Sequence, residues 1–318
     1  MYTPRDHEGF VACINDFYRG GYPYPKYLRK DRLEELIREG KLIITLAKTP
    51  EGRVVGTSAA RLLTGAFEGS VLLLLRCVVS DMQRKGIGSR QEEFLLGKIR
   101  EHFPDALSLY ADVMTHDAAS QKTMLKKGFT LCGLRLMMYK NEQIVPGLSF
   151  PPGTKMTQAV YCRKNTDRVP ELQVPREHRD FIEGIYRDMG LSVRFSPEKP
   201  SLCRGRWTVK DTADHRCAEI HILENPRDPS ELVSAIRELL SRDYTCVCYL
   251  PMSKDGSADL YGVLVREGFR FSGIKPLSAT GEYMILCHCE NAVKDFGLIA
   301  LPEDKQAFLS YITENGDN

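Results

Sequence analysis

Apolar residues along this chain recur with two periods, and the switches between them mark out the elements. Helical spacing governs residues 6–19 and again 31–39, "DRLEELIRE", with Asp31 as a candidate cap. The stretch between them, "YRGGYPYPKYL", is a loop of glycine, proline and tyrosine. Three strand-like runs follow: "KLIITLAKT", "VVGTSAARLL" after the turn "PEGR", and "VLLLLRCVV". The first two are predicted to form a hairpin. In "SRQEEFLLGKIREHF", Leu95, Ile99 and Phe103 fall on one helical stripe, with Glu92 and Glu93 near the positive end of the helix. A strand, "ALSLYADVM", leads to a short helix, "AASQKTMLKKGF", that Gly128 is placed to end in the left-handed conformation. Two further strands, "TLCGLRLMMY" and "TQAVYCRKN", complete the first half. Helices, an antiparallel meander and a strand–helix–strand passage together predict an α/β fold with a mixed central sheet.

"NEQIVPGLSFPPGTKM" is rich in Pro and Gly and reads as a connection, and "NTDRVPELQVPREHRD" separates the halves. The expected boundary is near residue 165, giving domains 1–165 and 166–318. The second half repeats the first in weaker form: helix "REHRDFIEGIYRDMG", strand "CAEIHIL", helix "DPSELVSAIRELLSR", strand "TCVCYLPM", then "SADLYGVLVREGFRFSGI". The junction "LKKGFTLCGL" has its counterpart in "VREGFRFSGI", the mark of a tandem duplication. Where the first half has "QRKGIGSR", the second has "ENPRDPSE", without glycine and with two prolines.

Composition narrows the class. With 318 residues, 42% hydrophobic and 27% charged, the chain is expected to be a soluble globular protein of two domains. A formal net charge of +2, with acidic and basic residues interspersed, favours neither nucleic acid nor a membrane as partner. "MYTPRDHEGF" lacks an apolar run and "VLLLLRCVV" is too short to cross a bilayer, so a cytoplasmic location is expected. Ten cysteines then read as reduced, buried thiols. The pairs Cys246/Cys248 and Cys287/Cys289 have the spacing of same-face residues on strands. Metal sites normally use CxxC turns, so no metal is expected.

The chemistry concentrates in "VVSDMQRKGIGSRQEE". A strand, a glycine loop and a helix start form a general anion site, because unpaired N–H groups and the helix dipole point at the loop. Gly86 and Gly88 permit close backbone approach, and Gln83, Arg84, Lys85 and Arg90 add donors and positive charge. The anion expected is a phosphate or diphosphate. A dinucleotide GxGxxG would need glycine where Gln91 stands, and the GxxxxGK[ST] loop is not supplied.

The remaining pattern, [QR]xxGxG after an apolar strand and before a helix, resembles that of the GNAT superfamily of acetyl-CoA-dependent N-acyltransferases. The similarity covers about residues 5–165, including "THDAASQKTMLKKGF". The whole chain is similar to tandem GNAT proteins whose second copy is degenerate. The resemblance implies that Cys77, Val78 and Val79 meet the pantetheine of acetyl-CoA, or another acyl-CoA, through their backbone. It implies that Gln83, Arg84, Lys85, Gly86, Ile87, Gly88 and Ser89 wrap the pyrophosphate, with Asp117 and Ser120 beside the cofactor. It also implies an amine acceptor, and a second half standing in for a partner subunit, which would permit a monomer.

Two family positions depart from the pattern. Leu72 stands where a catalytic carboxylate is common, and Met124 where a tyrosine commonly protonates the leaving thiolate. Glu68, Asp112 and His116 are substitute candidates for proton transfer. Tyr18, Tyr22, Tyr24 and Tyr27 either line an acceptor pocket or pack their loop onto the domain. The alternative to an acyltransferase is an acyl-CoA sensor or scaffold without turnover.

Overall fold

The computed structural model describes residues 1–22, 24–116, 118–140, 151, 153–290, 292 and 296–314. Among them lie thirteen strands and eight α-helices, the mixed α/β class the sequence predicts. They group into two compact units. The first holds Met1–Thr64 and Gly69–Tyr110; the second holds Gly65–Glu68, Ala111–Lys140 and the chain from Pro151 onward.

In the first unit, α1 (His7–Tyr18) and α2 (Lys30–Arg38) precede β1 (Leu42–Lys48), β2 (Val54–Leu62) and β3 (Ser70–Val78), with β2 antiparallel to both neighbours. The helix α3 (Ile87–His102) follows, and β4 (Ser108–Met114) starts beside the start of β3, where the Leu107 N–H donates to Gly69 O at 2.7 Å. Phe10, Ile14, Leu33, Leu36, Ile44, Ala59, Leu75 and Cys77 share the core of this unit. The stripe Leu95, Ile99 and Phe103 is buried as its spacing requires. Asp31 does not cap α2. The helix begins one residue earlier, Arg29 holds the cap position, and the Asp31 carboxylate pairs with the Arg29 guanidinium instead.

The second unit contains α4 (Ala119–Lys126), β5 (Thr130–Lys140) and β6 (Lys155–Lys164), then the short strands β7 (Glu171–Leu172) and β8 (Arg194–Phe195) with α5 (Arg179–Asp188) between them. It continues through β9 (Arg206–Thr212), β10 (Cys217–Glu224), α6 (Ser230–Ser241), β11 (Thr245–Pro251), α7 (Ser257–Arg266), β12 (Arg270–Ser278), β13 (Gly281–His288) and α8 (Gln306–Glu314). Its sheet runs in the order β6-β5-β12-β13-β11-β10-β9. Neither β9 nor α8 is predicted by the sequence pattern; β9 is exposed along nearly its whole length and has no apolar face to announce it.

Strands β5 and β12 meet at a pair of glycines. Gly128, Gly133 and Met137 recur at a constant offset of 140 positions as Gly268, Gly273 and Leu277. All but Gly133 have positive φ: 78° and 85° for the two helix-ending glycines, 51° and 63° for Met137 and Leu277, and 111° for Gly273. Gly133 pairs directly with Gly273 across the antiparallel contact. Equivalent residues facing one another in this way are what a local two-fold axis imposes. A Cβ on Gly273 would lie 2.4 Å from the Cys132 carbonyl oxygen, and one on Gly133 would lie 3.2 Å from the Ser272 carbonyl oxygen.

A second knot ties α8 down. The buried His178 ring stacks on Phe271 at 4.1 Å and 16°. The Tyr311 hydroxyl donates to Glu177 O, so it accepts from His178 Nδ1 at 2.9 Å, which leaves Nε2 to accept from the Tyr261 hydroxyl at 2.6 Å. Burial pushes the imidazole down to about 4 from its ordinary 6.5.

Two stability outcomes follow from these contacts. Gly273→Ala combines positive φ with a backbone clash and should cost about 3 kcal/mol or more, whereas Gly40→Ala, also at positive φ but in open space, should cost about 1 kcal/mol; urea unfolding of both variants compares them. For His178, the unfolded chain takes up the proton first as pH drops. The stabilisation by neutral His178 is therefore complete above about pH 6.5 and is lost as pH falls toward 4, an amount of order 2 to 3 kcal/mol. Wild-type stability should fall by that much more than that of His178→Gln between pH 7 and 4.

Candidate functional site

Strand β3 alternates buried and half-buried residues from Val71 to Val78, and one extra residue breaks its ladder with β2 on the way. Between the pairs Thr57–Cys77 and Ala59–Leu74, β3 advances one residue more than β2, and Leu75 takes φ 55°. Such a bulge unpairs part of the backbone and re-aims the strand just ahead of Arg76 and Cys77. Cys77 and Val79 are buried and Val78 half-buried, and burial raises the Cys77 thiol far above its ordinary value.

The chain then turns through Ser80–Met82 into the exposed run Gln83–Gly86. Arg84 and Gly86 both adopt left-handed backbone, φ 62° and 74°. A curl of this kind makes successive N–H groups converge on an anion-binding concavity. Gly86 is the N-cap residue of α3, and the N–H groups of Ile87, Gly88 and Ser89, in its first turn, have no intrahelical acceptor. Lys85 Nζ reaches back to Asp81 O at 3.1 Å, and Gln83 Nε2 to Val78 O at 3.2 Å.

Four contacts that the sequence does not announce hold this loop and the helix behind it. Asp16 of α1 accepts from the Ser80 N–H at 2.7 Å and from its hydroxyl at 3.0 Å. Arg53, in the β1–β2 turn, makes a bidentate pair with Asp81 at 2.8 and 3.0 Å. Behind the loop, Glu92 of α3 is buried and ion-paired to Arg76 of β3 at 3.4 Å, while Gln91 donates to Thr45 O at 3.0 Å. The residue that excludes a dinucleotide GxGxxG pattern is thus a bolt between α3 and β1.

The four tyrosines form a ladder of edge-to-face contacts, with centroids 5.0 Å apart for Tyr18–Tyr22, 6.0 Å for Tyr22–Tyr24 and 6.3 Å for Tyr24–Tyr27. Tyr22 and Tyr27 belong to the core of the first unit, and Tyr18 and Tyr24 pack against it half-buried. Burial raises the Tyr18 and Tyr22 hydroxyls well above their ordinary value, next to Cys77.

In the second unit, Glu68 is exposed, His116 is half-buried and Ser120 is exposed in the first turn of α4. Asp117 lies outside the described residues. Asp112 accepts from Arg135 Nη1 at 3.2 Å, and Arg135 also holds Gln158 and Glu219. Met124 is fully buried. The segment "ENPRDPSE" is closely packed: Asn225 is buried with its amide donating to Asp255 O at 3.1 Å, and a Cβ on Gly205 would stand 2.5 Å from Pro226. Cys246, Cys248, Cys287 and Cys289 are buried, and burial pushes Cys246 and Cys287 up to about 12, which disfavours thiolates. No group of three or more His, Cys, Asp or Glu among the described residues could hold a metal ion. No helix among them is long and apolar enough to cross a membrane.

No family model matches the chain, and neither does any curated protein. Solved structures similar to it include an N-acetyltransferase from Staphylococcus aureus Mu50, at 18% identity and TM-score 0.42, covering 51% of this chain and 94% of that one. A ribosomal-protein-alanine N-acetyltransferase from Brucella melitensis matches at 21% identity and TM-score 0.41, covering 51% and 96%. PaiA N-acetyltransferase from Thermoplasma acidophilum, in complex with coenzyme A, matches at 13% identity and TM-score 0.36, covering 51% and 95%.

The Arg76–Glu92 pair fixes the start of α3 against β3. Arg76→Met would strand a buried carboxylate, and denaturant unfolding should register a loss of about 2 to 3 kcal/mol.

Proposed function

We propose that the chain is an acyl-CoA-dependent N-acyltransferase, with acetyl-CoA as donor and an amine as acceptor. One observation carries the reading: a bulged strand delivers the chain to a left-handed curl at Arg84 and Gly86, which opens directly onto the unpaired N–H groups of α3. That backbone suits a diphosphate, and Arg84, Lys85 and Arg90 supply opposite charge. The backbone of Cys77–Val79 is the proposed contact for pantetheine. In the reaction, an unprotonated amine attacks the thioester carbonyl, the C–S bond breaks, and the CoA thiolate leaves as the nitrogen loses its proton. Positioning contributes much of such an acceleration when no strong base is at hand.

Residues 1–165 form the proposed active copy and 166–318 the copy without a site, and the packing of Asn225 and Pro226 supports one donor site per chain. The Asp112 carboxylate is engaged by Arg135, which counts against it as a proton acceptor; Glu68 and His116 are the other two proposed candidates. The tyrosine ladder beside Cys77 is the proposed acceptor wall through its half-buried members, Tyr18 and Tyr24. A cytoplasmic setting suits ten free cysteines, nine of them buried. The second reading, a non-catalytic acyl-CoA sensor, is favoured by Met124 and by the aliphatic Leu72, which supply no proton donor or acceptor.

Acetyl-CoA at about 100 times its Kd should stabilise the protein by ~2.7 kcal/mol, seen as a rise in Tm. Gly86→Glu, which adds strain and negative charge to the loop, should abolish that rise. No rise in the wild type at millimolar ligand contradicts the proposal. Thiol release across a panel of amines separates enzyme from sensor.

A further inference from the structure

The register that carries β3 into its loop also sets a charge against that loop. Past the bulge, β2 and β3 pair as Thr57–Cys77 and Gly56–Val78, and the Val79 N–H donates to Val55 O at 3.1 Å. Two residues further out on each side, the same register brings Arg53 to Asp81, where the bidentate pair forms at 2.8 and 3.0 Å. The pairing ahead of the bulge, Ala59–Leu74, extends instead to Ser80. The extra residue in β3 is thus what places a guanidinium on the Asp81 carboxylate.

Asp81 is the one acidic residue between Cys77 and Arg90, a run whose positive charge comes from Arg84, Lys85 and Arg90. Its main chain already holds one of these cations. Asp81 O accepts from Lys85 Nζ at 3.1 Å, and Met82 Sδ lies 3.2 Å from the same amine. Asp81 and Lys85 are both exposed, so a carboxylate released from Arg53 could turn onto that ammonium. Such a pair would withdraw a positive charge from the loop and leave a negative one beside it, and both changes oppose a diphosphate. The Arg53 guanidinium cancels the carboxylate's charge and fixes its direction with two bonds.

We infer that Arg53 is a positioning residue of the proposed donor site: it holds the Asp81 carboxylate away from Lys85 and so keeps the Lys85 ammonium available to the diphosphate. This deepens the acyl-CoA reading and rests on it. Arg53 acts through Asp81 and need not touch the donor.

Isothermal titration of coenzyme A into the full-length protein at about 0.05 M salt, where exposed charges are weakly screened, tests this. Arg53→Gln should raise Kd about three- to tenfold, the range expected when one exposed charge is freed beside an anion site. Adding Asp81→Asn should bring Kd back to within about twofold of the wild type, although the ion pair is still missing. In a Lys85→Met background the Arg53→Gln penalty should shrink, because the ammonium through which it acts is gone. It should also fade as salt rises to about 0.5 M. A merely structural role for Arg53 predicts none of these three recoveries. The two side chains are 56% and 55% exposed, so neither substitution empties the core. A Kd unchanged by Arg53→Gln, or a loss that Asp81→Asn leaves in place, overturns the inference while wild-type binding preserves the acyl-CoA reading. No binding by the wild type overturns that reading and the inference with it.

Discussion

Two backbones approach at Gly133 and Gly273 more closely than any side chain would permit, and the second unit is organised around that approach. With a Cβ on Gly273 falling 2.4 Å from the Cys132 carbonyl oxygen, β5 and β12 can cross only with glycine at 273, and a Cβ on Gly133, 3.2 Å from the Ser272 carbonyl oxygen, would crowd the same crossing. The crossing lets each hairpin, β5–β6 and β12–β13, join one sheet at equivalent positions. Each hairpin also carries a bulge around a residue of positive φ, Met137 or Leu277. Bulges add twist, and twist brings Arg135 to Glu219 across the curl. A charged interior follows, held by mutual pairing because unpaired charge there would be prohibitive.

The first unit uses the same devices for another purpose. Its bulge at Leu75 and its left-handed residues at Arg84 and Gly86 lie in succession on one strand and the loop that leaves it. Their product is an exposed concavity of N–H groups. The anchors Asp16 and Arg53 hold the loop from its outer side, and Arg76–Glu92 and Gln91–Thr45 hold the helix behind it. The diphosphate chemistry proposed for the loop resides in backbone, with side chains supplying charge. In the second unit, Asn225 is buried and Pro226 stands where a Cβ on Gly205 would fall.

What the sequence made legible was local. The helical stripe at Leu95, the helix-ending Gly128 and the glycine loop each declare themselves by spacing or by a residue with one backbone use. The Gly-Phe junctions were readable for the same reason, since backbone dictates their glycines, at φ 78° and 85°. The strand β9 was hidden by its exposure, and α2 was mis-capped because Asp31 had a nearer partner in Arg29. The contacts that assemble the loop and the curl were beyond reach: Asp16 lies 64 positions from Ser80, Arg53 lies 28 from Asp81, and Arg135 lies 84 from Glu219. No local pattern encodes such pairs. The role of the tyrosines was open in the sequence, and the structure places Tyr22 and Tyr27 in the core while leaving Tyr18 and Tyr24 at its edge.

The central claim is a single acyl-CoA site per chain, built by the loop around Gly86. Isothermal titration of coenzyme A into the full-length protein tests it most directly. One site per chain in the wild type, abolished by charge reversal at Lys85 and Arg84 and unaffected by changes at Asn225, is the predicted result. Two sites per chain, or no binding at all, would contradict the account.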